Sequence, residues 1–138
     1  MPRSPGMGAD IPIISKVDRE RKEIHAVAVG PVTFADVEAH LLQQKNWGVL
    51  AYREFIDGRG AGPIFTPAEV RQIVELLRKM SEGSPLGRTA VLVSSDYAFG
   101  VMRMLEMLID DVCQLKPFRD EQEAREWLAE KSAGTSPK

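Results

Sequence analysis

The spacing of apolar residues between positions 88 and 128 alternates between the period of a strand and that of a helix. A short apolar run at Thr89–Ser94 is followed by a helical apolar pattern over Asp96–Ile109. An alternating segment at Val112–Lys116 then leads into a helix that begins after Asp120. Strands and helices that alternate with short connections are typical of a mostly parallel sheet covered by helices. This half of the chain therefore predicts an α/β domain.

The first half of the chain opens with two segments of strand-like alternation. They lie at Ile11–Val17 and Ile24–Val29, and the polar residues Asp18–Arg21 separate them. The short polar connection predicts an antiparallel hairpin. Pro12 near the start of the first strand favours an edge position in the sheet. Gly30-Pro31 is predicted to break the second strand.

Helix starts are marked by capping residues. Thr33 precedes a helical apolar stripe, and Thr66 is followed by Pro67 and Glu69, which together make a capping box with proline at the first helical position. Asp120 starts the last helix in the same way.

Between the helices that begin after Thr33 and Thr66, the pattern predicts one more strand and a loop. The first helix is predicted to end at Asn46–Gly48, and a strand to follow at Val49–Ile56. Three glycines and a proline in Asp57–Pro63 then predict a loop that closes this strand. The predicted element order is β-β-α-β-α-β-α-β-α, a five-stranded mixed sheet with four main helices and the first strand antiparallel to the rest. One domain is predicted over residues 11–131, with flexible segments at 1–10 and 132–138.

Composition narrows the function classes. The chain has 138 residues, with 43% hydrophobic and 28% charged residues, which fits one globular domain. The net charge of −2 does not favour nucleic acid as a partner. The single cysteine, Cys113, and the absence of a ligand-spaced His, Asp and Glu cluster argue against a metal and against a cofactor. The sequence has no apolar run long enough to predict a membrane span. Residues 1–10 lack the apolar run of a signal peptide, so a cytoplasmic protein is expected.

A candidate ligand site is predicted where the strands end, because ligands of open α/β sheets bind outside the carboxyl ends of strands. A Gly-rich segment before a helix can bind an anion through free backbone N–H groups, although a simple turn explains the same glycines. Ser95 or Asp96 can instead be a helix cap. Asp57 and Asp96 together could bind a metal or do acid–base chemistry. The predicted site residues are Asp57, Gly58, Arg59, Gly60, Thr66, Ser94, Ser95, Asp96 and Tyr97.

The helix after this site is apolar around most of its circumference. Such a helix is usually covered on more than one side, by the core, by a partner subunit or by a lipophilic ligand. Methionine adapts to either kind of partner. The predicted interaction surface consists of Phe99, Met102, Met104 and Met107.

Two segments carry a resemblance to a known family. Arg88–Val93 running into Tyr97–Met104, and Pro117–Ala124 followed by Trp127-Leu128, resemble the small uncharacterised bacterial proteins of the SpoIIAA-like (STAS-like) group. The likeness spans roughly residues 11–130 and implies that fold. It also implies a non-enzymatic protein that self-associates, and SEC14-type lipid carriers are looser relatives in how they bind ligands.

The chain departs from the anti-sigma-factor antagonists of this fold at one point. Those proteins carry a phosphorylatable serine in an Asp-Ser-Ser/Thr-Gly stretch, whereas this chain has Asp57-Gly58-Arg59-Gly60. The acceptor hydroxyl is missing, so a phosphorylation switch is not expected here. Thr66 is near, but its position predicts a helix cap.

The sequence is compatible with three functions. The first is a protein-interaction module that works as a homodimer through the apolar helix. The second is a carrier or sensor of a small lipophilic or anionic ligand, held between that helix and the Gly-rich segment. The third is an enzyme that uses Asp57 and Asp96.

Overall fold

Five strands and four helices make up the part of the chain that the computed structural model describes, residues 12–130. The strands are β1 (Ile13–Asp18), β2 (Glu23–Val32), β3 (Arg53–Pro63), β4 (Thr89–Leu92) and β5 (Leu115–Phe118). The helices are α1 (Phe34–Trp47), α2 (Pro67–Gly83), α3 (Asp96–Leu108) and α4 (Glu121–Ala129). The predicted flexible segments, 1–10 and 132–138, lie outside the described residues.

The strands form one sheet in the order β1-β2-β3-β4-β5. β1 pairs antiparallel with β2, while β2–β3, β3–β4 and β4–β5 all pair in parallel. β1 and β5 are therefore the two edges, and the edge position that Pro12 predicted for the first strand is confirmed. The predicted mixed five-stranded sheet with four helices is confirmed.

The predicted loop at Asp57–Pro63 is wrong, because this segment is the second half of β3. Its residues pair in parallel with β2, from Val29 opposite Gly60 to Val32 opposite Pro63. The break predicted at Gly30-Pro31 is wrong for the same reason. A register shift between Val27 and Val29 and the positive φ of 78° at Gly30 accommodate the extra pairing. Glycine and proline permit a turn, but here the backbones of β2 and β3 pair with each other, and this pairing extends both strands.

Two other strand boundaries differ from the prediction. Val49–Tyr52 is a turn rather than the start of a strand, and β3 begins at Arg53. The last strand begins at Leu115 and continues through Pro117, whereas Val112 and Cys113 donate their backbone N–H groups to the carbonyl of Ile109 in a turn after α3. Pairing of Thr89 with Leu115 sets this register, and an edge strand tolerates the proline.

The predicted helix starts are confirmed by their caps. Thr33 and Thr66 form capping boxes with Asp36 and Glu69, respectively. Ser95 caps α3 by accepting from the backbone N–H of Ala98. Asp120 caps α4, accepting from the backbone N–H of Glu123.

The two faces of the sheet are covered differently. α4 alone packs on one face, where its Ala124 and Leu128 join Phe55, Leu92 and Phe118 in a buried cluster. The other three helices cover the opposite face. Buried residues of this layer form a second cluster, which consists of Val70, Ile73, Val74, Leu105 and Ile109. An unfilled space remains between this second cluster and the sheet.

Candidate functional site

The predicted site residues at the end of β3 bind one another. Arg59 donates from Nε to Asp57 Oδ1 at 3.0 Å and from Nη2 to Asp57 Oδ2 at 2.8 Å. These hydrogen bonds from Arg59 hold the pKa of Asp57 below its usual range. Ser94 donates its hydroxyl to the Arg59 carbonyl oxygen at 2.7 Å. The structure thus brings Asp57, Arg59 and Ser94 together, in an arrangement in which their main polar groups are already paired.

The residues at the start of α3 are positioned mainly by capping. The Ser95 hydroxyl accepts from the Ala98 N–H at 3.0 Å, so the cap alternative for Ser95 is confirmed. Asp96 accepts from Arg119 Nη1 at 2.6 Å, and its side chain is 91% exposed. Tyr97 is also exposed. Asp57 and Asp96 are each bound by a different arginine, Arg59 for Asp57 and Arg119 for Asp96.

The two glycines and the threonine of the predicted site have local structural tasks. A Cβ at Gly58 would lie 3.2 Å from the carbonyl oxygen of Leu92, so Gly58 allows β3 and β4 to approach closely. Gly60 faces open space. The Thr66 hydroxyl accepts from the Glu69 N–H at 3.1 Å. As ligand contacts these three residues stay predictions.

The predicted interaction surface is divided between the inside and the outside of the molecule. Phe99 packs against the cluster of Val91, Val93 and Ala98, and the Arg119 guanidinium lies 4.5 Å from the centre of its ring. Met102 also faces inward and lines a cavity. Only Met104, at 46% exposure, and Met107, at 64%, face solvent.

This cavity has a volume of about 170 Å³. It lies between the sheet and helices α1, α2 and α3 and is partly open to solvent. Most of its wall is apolar and comes from distant parts of the chain, including Ala28, Ile56, Ile73, Val91, Met102 and Leu105.

A buried polar cluster forms one part of the cavity wall. His40, Gln44 and Glu54 are 8%, 5% and 5% exposed, respectively. His40 Nε2 lies 2.7 Å from Glu54 Oε2, and Gln44 donates from Nε2 to Glu54 Oε1 at 2.9 Å. Burial by itself lowers the pKa of His40, but the hydrogen bond to Glu54 and the charge of Glu54 outweigh burial and raise it. The pair therefore favours a protonated imidazole beside a carboxylate.

Sequence reasoning did not single out this cluster as a site. It proposed no functional role for His40, Gln44 or Glu54. A signal was nevertheless present, because His40 and Gln44 are four residues apart and lie in phase with Val37 and Leu41 on the inward side of α1. Two polar residues on the stripe that should be apolar indicate a buried polar partner elsewhere.

Cys113 also lines the cavity. Burial raises the pKa of its thiol to about 11, so the group is neutral at physiological pH. The neutral thiol therefore packs as a small, apolar side chain of the interior.

Two further findings concern metals and membranes. In residues 12–130, no group of three His, Cys, Asp or Glu side chains is placed to hold a metal ion. Within the same range, every helix is too short or too polar to cross a bilayer. The predictions that the protein has no metal and no cofactor stay predictions.

The architecture defines a SpoIIAA-like (STAS-like) α/β domain. One similar solved structure is that of an uncharacterised protein of the DUF3478 family with a SpoIIAA-like fold from Shewanella loihica PV-4. The TM-score is 0.57 at 18% sequence identity, over 85% of this chain and 94% of that chain. This likeness confirms the predicted fold.

A second solved structure is similar at a lower level. It is the anti-sigma factor antagonist SpoIIAA in its unphosphorylated form, with a TM-score of 0.47 and 13% identity, over 84% of this chain and 96% of that chain. No protein-family model and no curated protein sequence matches this chain.

Proposed function

We propose that this domain is a binding protein, not an enzyme, and that it holds a small apolar molecule in the cavity between the sheet and helices α1, α2 and α3. The observation that carries the proposal is the cavity itself, about 170 Å³ with a mainly apolar wall. An apolar protein cavity of about 150 Å³ stays dry and binds benzene. The space here therefore suits one small ring or a short chain. This proposal keeps the hypothesis of a ligand carrier. It places the ligand between the sheet and helices α1, α2 and α3 instead of beside the Gly-rich segment.

The wall of the cavity supports entry and exchange of such a ligand. The cavity is partly open to solvent, so a ligand need not wait for the domain to unfold. Met102 forms part of the wall, and an unbranched thioether side chain adapts to ligands of different shape. The volume is smaller than the roughly 300–1,000 Å³ of pockets for drug-sized ligands, which limits the ligand to a few heavy atoms.

Toluene is a suitable probe for this proposal. A ligand present at ten times its Kd stabilises the folded state by about 1.4 kcal/mol. For a domain of this size we expect Tm to rise by about 4–6 °C in saturating toluene. Calorimetry or circular dichroism measures the shift.

Two substitutions of the same kind make the toluene test specific. Ala28→Leu adds three carbons to a residue that lines the cavity, and it should abolish the rise in Tm. Ala129→Leu adds the same atoms at an exposed position of α4 and should leave the rise intact. An unchanged Tm of the wild-type protein in toluene would reject the proposed function.

A second candidate is the protein-interaction module that works as a homodimer. A group of exposed apolar side chains on α3 favours it: Tyr97 at 62%, Met104 at 46%, Met107 at 64% and Leu108 at 43%. Contiguous apolar side chains on a surface often mark an interface. The enzyme hypothesis has no comparable support, since Asp57 and Asp96 are both bound by arginines.

Sedimentation analysis tests this second candidate directly. We expect a dimer for the wild-type chain and a monomer for Met104→Asp, because a carboxylate at the centre of the apolar face would be buried without a partner. Ile64→Asp is the matched control, since Ile64 is 55% exposed but lies outside α3. A monomeric wild-type protein at high concentration contradicts this candidate and leaves the cavity proposal unaffected.

A further inference from the structure

The polar side chains on the wall of the cavity all lie at one of its ends. They are His40, Gln44, Tyr52, Glu54, Thr89 and Cys113. Glu54 and Thr89 stand near the starts of β3 and β4 and are direct partners in the sheet register. Tyr52 and Cys113 precede β3 and β5, and the two residues of α1 contact Glu54. Every other residue of the wall is apolar, as far as Val93 and Phe65 at the opposite end. The cavity is therefore amphipathic along the direction of the strands.

Three residues of this polar end are occupied with one another. Gln44 Nε2 lies 3.0 Å from His40 Nε2 and 2.9 Å from Glu54 Oε1. His40 Nε2 in turn lies 2.7 Å from Glu54 Oε2. The second ring nitrogen of His40 is too deeply buried for a ligand to touch. The cluster therefore makes this end of the cavity polar without presenting a free group to a ligand.

The Thr89 hydroxyl, by contrast, is both free and accessible. In residues 12–130, three side-chain polar atoms are buried without a partner, and the Thr89 hydroxyl is not one of them. Since no described residue hydrogen-bonds to this hydroxyl either, it keeps contact with solvent. The Thr89 side chain lies on the cavity face of the sheet, beside that of its register partner Glu54. A hydroxyl in this position offers a donor and an acceptor to a molecule in the cavity.

The carboxylate next to this hydroxyl limits what can bind there. Both oxygens of Glu54 already lie within hydrogen-bond distance of His40 or Gln44. An anionic ligand would meet this carboxylate and would also lose its hydration in a mainly apolar cavity, which is costly. A cation would lose its hydration too, and it would find both carboxylate oxygens occupied. An uncharged oxygen pairs with the Thr89 hydroxyl without these costs.

We infer that the ligand of this cavity is a small neutral amphiphile. Its single alcohol or carbonyl oxygen is bound by the Thr89 hydroxyl, and its apolar body extends toward Val93 and Phe65. The inference rests on the proposed function, because it assumes that the cavity binds a ligand. It narrows the earlier choice between a lipophilic and an anionic ligand, and it orients the ligand. The polar end lies at the starts of the parallel strands, whereas ligands of open α/β sheets usually bind outside the carboxyl ends.

Three probes of nearly the same shape test the inference: ethylbenzene, benzyl alcohol and benzylammonium. They have the same number of non-hydrogen atoms and end in a methyl, a hydroxyl or an ammonium group. Benzoate supplies the anionic case. The Kd values are measured by isothermal titration calorimetry with the full chain. The ratio of the ethylbenzene Kd to the benzyl alcohol Kd reports recognition of the oxygen, because the contacts of the ring are common to both probes.

Thr89→Val is the decisive variant, since valine keeps the branched shape of threonine but lacks the hydroxyl. We expect the Kd ratio to fall about fivefold in Thr89→Val, the effect of one hydrogen bond, with ethylbenzene still bound. Thr89→Ser keeps a hydroxyl and should retain the wild-type ratio.

Two control variants locate the effect. Val93→Thr makes the reverse exchange at the apolar end of the cavity and should leave the ratio unchanged. Tyr52→Phe removes the other hydroxyl of the polar end and should also leave it unchanged.

Each outcome has a distinct meaning. An unchanged ratio in Thr89→Val, or an equal fall in Tyr52→Phe, overturns the role of Thr89. A higher ratio in Val93→Thr overturns the orientation. Tighter binding of benzylammonium or benzoate than of benzyl alcohol overturns the neutral ligand. In all of these cases, binding of ethylbenzene preserves the proposed function, which itself fails if neither toluene nor ethylbenzene binds to the wild-type protein.

Discussion

At the scale of single residues, Gly87 lies against the backbone of the turn that precedes β3. Its N–H donates to the Leu50 carbonyl oxygen at 2.9 Å. A Cβ at Gly87 would collide with the carbonyl oxygen of Tyr52 and would lie 2.7 Å from that of Ala51. Backbone atoms cannot move aside as a flexible side chain can. We therefore expect Gly87→Ala to lower the free energy of unfolding by about 3 kcal/mol, the upper part of the range for overpacking.

Gly60→Ala is the control for this prediction. A Cβ at Gly60 meets nothing within 4 Å, and the residue does not have a positive φ. Urea unfolding should therefore show a change of less than about 1 kcal/mol for Gly60→Ala. Equal effects of the two substitutions would show that Gly87 does not lie as close to Tyr52 as the structure indicates.

His40 makes the stability of the domain depend on pH. Its pKa is raised in the folded state above the ordinary value of 6.5. The folded protein therefore holds a proton that the unfolded chain releases, and the stabilisation is complete below about pH 6.5 and is lost as pH rises through the folded-state pKa. We expect the free energy of unfolding of the wild type to fall as pH rises above about 6.5.

The control for this prediction must remove both members of the pair, because removal of His40 alone would leave the Glu54 carboxylate buried without its partner. The double variant His40→Gln with Glu54→Gln keeps hydrogen-bonding side chains but no titrating group in the cluster. Urea unfolding of this variant should show a shallower decline over the same pH range. Cys113 also lines the cavity and has a pKa of about 11 in the folded protein, but it is present in both proteins, so its contribution to the pH dependence cancels in the comparison. Parallel curves for the two proteins would rule out His40 as the source.

At the scale of elements, the two faces of the sheet differ in how closely helices pack on them. Ala124 of α4 is 0% exposed in the cluster with Phe55 and Leu92, and it does not line the cavity. Ala28 of β2 is also buried, at 5%, but it borders the cavity on the other face. Added carbon atoms should therefore be tolerated at Ala28 but not at Ala124.

Two alanine-to-leucine substitutions measure this difference. Ala124→Leu should destabilise the domain by about 1–3 kcal/mol because α4 must move away from the sheet. Ala28→Leu should cost less than about 1 kcal/mol, because the new methyl groups enter empty space and are removed from water. Thermal or urea unfolding gives both values. A larger loss at Ala28 than at Ala124 would contradict the presence of the cavity.

At the scale of the whole molecule, the reactivity of Cys113 reports how strongly the interior is shielded from solvent. It is the only cysteine of the chain, so every thiol reaction can be assigned to it. With a pKa of about 11 in place of 9.0, its thiolate fraction at neutral pH is lower than in the unfolded chain by two orders of magnitude. We expect iodoacetamide to alkylate the native protein at least about 100-fold more slowly than the protein in urea.

The same reaction tests the cavity from inside. Because Cys113 lines the cavity, saturating toluene should slow alkylation of the native protein further and leave alkylation in urea unchanged. Mass spectrometry at timed intervals measures both rates. Native and unfolded chains that react at the same rate would show that Cys113 is not enclosed.

Much of the architecture was predictable because its signals are local. Thr66, Pro67 and Glu69 mark a helix start within four residues, and Thr33, Ser95 and Asp120 cap the other helices as predicted. A capping side chain bonds to an N–H two or three residues away, so the sequence alone contains both partners. The alternation of strands and helices predicted the mixed sheet for a similar reason.

The local structure around the predicted site was foreseen only in part. A helix cap at Ser95 or Asp96 was predicted and Ser95 is the cap, whereas the assignment of Asp57–Pro63 to a loop was wrong. The pairing of Gly60 with Val29 joins residues 31 positions apart, and no local signal announces it. Exposure was equally unpredictable on α3, where Met102 faces inward and Met104 outward.

The sequence was sufficient for the helix starts, for the identity of the strands and for the fold class, since periodicity and caps act over a few residues. The extent of β2 and β3, the cavity and its polar cluster came only from the folded chain. Glu54 meets His40 and Gln44 across separations of 14 and 10 residues, after α1 has folded back onto β3. Such contacts, and the space left where side chains fail to meet, depend on how distant elements pack.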